Sequence, residues 1–144
     1  MSKYQSFQKL SRKQLVWVWS AYWHLWPVLI RIKFKQFSNN NDWLMKKISL
    51  VPSPSFSCIS TVSVAVQMHE SVRLAARLHL LAAACLPKSV VLADMLSAYG
   101  IQAAVVIGVN KNDSRFSSHA WVEVEGQMVV EAESVLDTFT RLNR

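Results

Sequence analysis

Apolar residues recur at three- and four-residue steps through the first two thirds of the chain and shift to strand-like runs in the last third. Leu15, Trp19, Tyr22, Trp23, Trp26 and Ile30 share one stripe of residues 8–36 and predict a helix, with Pro27 placed to kink it. The stripe has two readings. It packs on the rest of the domain, or it forms a surface for a partner or a membrane, since four of the six tryptophans lie in this segment. FSNNND (37–42) is a turn-rich break, WLMKKISLV resumes a helical pattern, and PSPSFSCIS (52–60) reads as a Pro/Ser loop. Val62, Val66, His69, Val72, Ala76 and Leu80 fall near one face of a helix over 60–82. Another helix over about 86–99 ends at Gly100, a natural left-handed C-cap. IQAAVVIGV (101–109) reads as a strand, NKNDSRFSS as a loop, HAWVEVEGQMVVEAE as a hairpin turning near Gly126, and 134–144 as a short helix. Helices followed by three strands give an α+β layout with an antiparallel sheet.

The 144 residues are the size of one domain, and 51% of them are apolar, enough for a core. The pattern divides them into an N-terminal helical region, 1–50, which packs on the core or serves as its docking element, and a core, 51–144. The net charge is +7, and before residue 50 nine lysines and arginines face only Asp42. A basic end of this kind meets nucleic acid, an acidic membrane surface or an acidic protein, or is a solvated helix face. Residues 15–30 are too short for the ~20 residues that span a bilayer, contain His24 and Pro27, and lack a signal-peptide cleavage site. Cys58 and Cys85 are the only cysteines, too few for a disulfide framework, and no CxxC or Cys/His cluster points to zinc. The expectation is a cytoplasmic protein without metal or cofactor.

Cys85 stands two residues before Pro87, which suits the first turn of a helix because its missing N–H costs nothing there. The first-turn N–H groups and the helix dipole would then favour thiolate at Cys85, with Lys88 adding positive charge, and the Cys85 amide would face a developing oxyanion. The competing reading is a buried, inert thiol. Cys58 has no such context and reads as structural.

His119 opens a strand and would need a thiol in reach and an acid to orient its ring. Matching like faces of the hairpin sets Val122 opposite Met128 and Ala120 opposite Val130, with Glu123–Gln127 closing a three-residue loop. In that register Glu131 lies across from His119. A two-residue loop would instead pair His119 with Ala132 and turn Glu131 to the other face, leaving Glu133 and Asp137 as reserves.

Together, CLPKS at a helix start, YGIQAAVVIGV and HAWVEVEG resemble the transglutaminase-like cysteine proteases of lasso-peptide biosynthesis, specifically the B2 leader peptidases. The resemblance runs from about Val72 to Glu131. It implies a papain/transglutaminase-like fold and a Cys–His–acid triad in which Cys85 is the nucleophile, His119 the general base and Glu131 the third member, where the family usually has aspartate. It also implies a precursor peptide as substrate, a separate leader-recognition B1 protein as partner, and a lasso cyclase acting on the product. Nucleic acid is not expected among the partners, whereas peripheral membrane contact through the N-terminal helix is a further expectation. An acyltransferase or deamidase using the same site, and an idle binding module of the same fold, are the alternatives.

Overall fold

A computed structural model describes residues 11–35, 59–110, 117–129 and 138–142. Among the described residues, three helices precede the sheet: α1 (Arg12–Lys35), α2 (Ile59–Leu78) and α3 (Cys85–Ala98). Four strands follow among them: β1 (Ala103–Asn110), β2 (Ser117–Val124), β3 (Gln127–Met128) and β4 (Thr140–Arg141). The sheet order is β3-β2-β1-β4 and every pairing is antiparallel. The α+β class with an antiparallel sheet is therefore what the chain adopts. In the described part of the tail Thr138 is helical and Thr140–Arg141 forms β4, paired to the outer side of β1; the rest of the short helix expected within 134–144 lies outside the described residues.

The middle helix of the assembly is α3. It touches α1 and α2 on one side and β1 and β2 on the other. Its composition explains this position: Pro87, Ser89, Val90, Val91, Leu92, Met95 and Leu96 are all buried, so apolar surface lies most of the way round it. It ends as the sequence suggests. Gly100 sits at φ +74, its N–H donates to the Ser97 carbonyl, and the Ile101 N–H donates to the Leu96 carbonyl. That pair of bonds satisfies the last carbonyls of the helix.

In α1 the residues that meet the core are Trp17, Val18, Ala21, Leu25, Val28 and Leu29. The predicted stripe divides. Tyr22 and Trp26 are half-buried and pack on the domain, with ring centres 5.0 and 4.9 Å from that of His79, whereas Leu15, Trp19, Trp23 and Ile30 are exposed and do not. Trp17 is fixed at the core side by its indole N–H, which donates to the Tyr99 hydroxyl at 2.8 Å. In α2 the buried face is also turned from the expected one: Ala65, Met68, Ser71, Val72 and Ala75 are buried, while Leu80 lies beyond the helix and is exposed. The WLMKKISLV helix and Cys58 lie outside the described residues.

The β1–β2 ladder runs from Ala103↔Val124 to Asn110↔Ser117. Val122 and Val124 point toward the helices and join their core. Trp121 and Glu123, on the alternate face, are buried as well, so β2 is enclosed on both sides from Ala120 to Val124. The hairpin register differs from the expected one. Val124 pairs with Gln127 and Glu123 with Met128, which leaves a two-residue loop, Glu125-Gly126. Both loop residues have positive φ, +54 and +77, the requirement of a type I′ turn. The expected Glu123–Gln127 closing pair does not form.

Candidate active site

Cys85 is the first residue of α3. Ala84 before it is extended and offers no capping side chain, so the first-turn N–H groups of α3 are left to whatever lies at that end. Cys85 is a half-buried free thiol. One turn further on, the buried Ser89 hydroxyl donates to the Ala120 carbonyl at 3.1 Å. This bond ties the start of α3 to the residue beside His119.

Cys85 and His119 line the same cleft, of about 170 Å³, at the junction of α2, α3 and β2. Lys88, Arg73 and His69 border it on the helical side, and Val72, Leu92 and Val122 give it apolar wall. Arg73 is partly neutralised by Glu70 at 3.5 Å. The two residues singled out from sequence, 34 positions apart, are thus brought to one place by the packing of α3 on β2.

The His119 ring is held by two aromatic neighbours. Trp121 stacks on it with ring centres 6.3 Å apart and planes 25° from parallel, and Phe139 lies 5.6 Å away. The His119 Nε2 atom is shielded from solvent. Trp121 is fixed in turn: its indole N–H donates to Glu123 Oε1 at 2.9 Å. Glu123 is clamped by Arg141 of β4, whose two terminal guanidinium nitrogens lie 2.7 and 3.2 Å from its carboxylate oxygens. Space for the arrangement comes from Gly108, where an added Cβ would stand 2.8 Å from the Trp121 ring and from Phe139 Cβ. A row of side chains, Arg141–Glu123–Trp121–His119, therefore runs along one face of the sheet into the cleft.

The sequence placed Trp121 and Glu123 on the His119 face but gave them no role beyond the hairpin. The signal that could have found them was the HxWxE spacing itself, which puts three large side chains on one face of a strand. Arg141 carried no signal, because its contact with Glu123 spans 18 residues and depends on β4. Glu131, Glu133 and Asp137 lie outside the described residues. The three-residue loop that selected Glu131 is replaced by the two-residue loop, so hairpin register no longer favours it.

Ser89→Ala tests the tie between the helix and the strand. It should cost about 1 kcal/mol of stability. It should also slow any Cys85-dependent reaction more than it weakens substrate binding, because the loss is in alignment. The kcat and KM of that reaction, measured separately, check this.

Residues 28–144 match the family model of the transglutaminase-like superfamily. No curated protein and no solved structure matches the chain.

Proposed function

The chain belongs to the transglutaminase-like superfamily, and from that premise we propose that it is a cysteine endopeptidase that removes the leader from a lasso-peptide precursor. The superfamily supports cysteine-protease or acyltransferase chemistry. The observation that carries the reading is the meeting of Cys85 and His119 in one cleft, with the uncapped start of α3 at the thiol. The narrower assignment to leader removal rests on the resemblance of the CLPKS and HAWVEVEG segments to the leader peptidases.

In this mechanism Cys85 Sγ attacks the carbonyl carbon at the leader–core junction, and His119 takes the thiol proton. The first-turn N–H groups of α3, with the Cys85 amide, donate to the oxyanion. The intermediate collapses as His119 returns the proton to the leaving amine. The leader is then held as a thioester, and water activated by His119 releases its carboxylate and regenerates the thiol. The third member of the triad is drawn from Glu131, Glu133 and Asp137, with Glu131 in the place that the resemblance gives it. A separate recognition protein presents the leader, and a cyclase consumes the freed core amine.

Incubation of the chain with precursor and recognition protein, followed by mass measurement of both fragments, tests the reaction. Hydrolysis adds one water across the cleaved bond. A product carrying an added amine, or a glutamine converted to glutamate with no cleavage, assigns the site to acyl transfer or deamidation instead. The acid is identified by single-turnover cleavage with the recognition protein in excess. Replacement of the true orienting acid by its amide should slow cleavage by more than tenfold, and by up to ~10⁴-fold. Glu131→Gln is expected to show this loss, with Glu133→Gln and Asp137→Asn close to wild type; the reverse pattern moves the role to one of those two.

A further inference from the structure

We infer that the outward face of α1 is an interfacial element that lies on anionic phospholipid. With a helical step of about 100°, Leu15, Val16, Trp19, Trp23 and Ile30 fall within an arc of about 100°. That arc is roughly opposite the residues that α1 buries against α2 and α3. All five are exposed, Trp19 to 66% and Trp23 to 55%. The two tryptophans meet edge to face at 5.8 Å and present a continuous aromatic ridge. Arg12 and Lys33 fall on the same arc, one at each end, so the stripe is apolar in the middle and cationic at both tips. No aspartate or glutamate occurs anywhere in the helix.

Charge decides the occupant. Of the five basic residues of the helix, Arg12 and Lys33 lie on this face, and the helix carries no acid, so the face complements a phosphate-rich surface, where each cation near an anionic leaflet adds to binding. Tryptophan seats its amphipathic ring at headgroup level, where two of these rings would sit side by side. The stripe from residue 12 to 33 is about 32 Å long. Its opposite side is fixed in the core, so the helix can lie in the interface but not turn through it. Among the described residues, no helix is long and apolar enough to cross a membrane. The geometry is that of a helix buried by one face in the headgroup region.

The test uses the full chain and two kinds of vesicle, phosphatidylcholine mixed with phosphatidylglycerol and phosphatidylcholine alone. Co-sedimentation should show binding to the mixed vesicles at least tenfold tighter than to the neutral ones, weakening as salt rises. Brominated lipid in the mixed vesicles should quench tryptophan emission of the unaltered protein. Trp19→Asn with Trp23→Asn, and separately Arg12→Glu with Lys33→Glu, should each weaken binding at least tenfold while leaving circular dichroism and melting unchanged. Lack of binding by the unaltered protein overturns the inference, as does equal binding to both vesicle types or binding that survives both double substitutions. A dimer in the absence of lipid that the tryptophan substitutions convert to monomer, with no vesicle binding, gives the face to a second copy of the chain instead.

Discussion

Cys85→Ala is expected to abolish precursor cleavage, by about 10⁴-fold or more, and to leave the folded state nearly untouched. The kinetic part follows from the loss of the sulfur that forms the acyl intermediate in the proposed mechanism; removal of a nucleophile from a working triad has an effect of this order. The structural part follows from position. Cys85 is half-buried at the first turn of α3 and packs no large side chain into the core. Alanine is a good helix residue there. Single-turnover cleavage and a thermal melt on the same preparation separate the two. Cleavage retained in the variant would remove Cys85 from the mechanism. If the unaltered protein fails to cut and both forms bind the recognition protein equally, the chain is a binding module of the same fold.

The second large effect concerns Arg141→Ala. Glu123 is only 5% exposed, and its carboxylate is held by the guanidinium of Arg141 and the indole of Trp121. Taking away one partner of a buried ion pair typically costs 3–5 kcal/mol, because the remaining charge is left desolvated. The Arg141 side chain is 49% exposed, so water already screens part of the attraction and the expected cost falls to about 2–3 kcal/mol. That corresponds to a melting temperature lower by roughly 5–10 °C. Glu123→Gln keeps an acceptor for the indole and should cost less. The double variant Glu123→Gln/Arg141→Ala should be more stable than Arg141→Ala alone, since it leaves no stranded charge, and urea denaturation of wild type, the two single variants and the double gives the coupling energy directly. An Arg141→Ala melt within a degree of wild type would mean that the pair contributes little. Activity should fall along with stability, because the carboxylate fixes Trp121 and Trp121 stacks on His119.

How much of this was legible in the sequence varies with the range of the interactions involved. The end of α3 at Gly100 was readable because capping is local: one left-handed residue and two backbone bonds define it. The start at Cys85 was readable from Pro87 for the same reason. The direction in which α1 faces was not. That helix is apolar on two sides, and spacing alone does not say which side meets the core. The small Ala21, fully buried, marks the side that packs, whereas the larger tryptophans drew attention to the other. The hairpin register failed for a related reason. Matching like faces discriminates only when one face is wet, and β2 is buried on both from Ala120 onward. Glu123 looked like a polar turn residue, but its partner is Arg141, from a strand that local pattern did not reveal. The turn itself places a glutamate at positive φ, where asparagine or aspartate is the usual signal, so Glu125-Gly126 did not announce a two-residue loop.

The shortness of β4 has a consequence for how the molecule breathes. Two ladder positions, the Leu142 N–H donating to the Ile107 carbonyl at 2.8 Å, and the Arg141 clamp attach it to β1 and β2. The helical core and the eight-position β1–β2 ladder do not depend on those attachments. Release of β4 is therefore expected to be a sub-global opening, cheaper than unfolding, and hydrogen exchange should show the amides of this edge exchanging with solvent while those of α3 stay protected. Phe139, next to the strand, packs on the His119 ring, so the same opening loosens the base of the cleft. Through Phe139, whatever keeps this edge strand closed also bears on the orientation of the His119 imidazole.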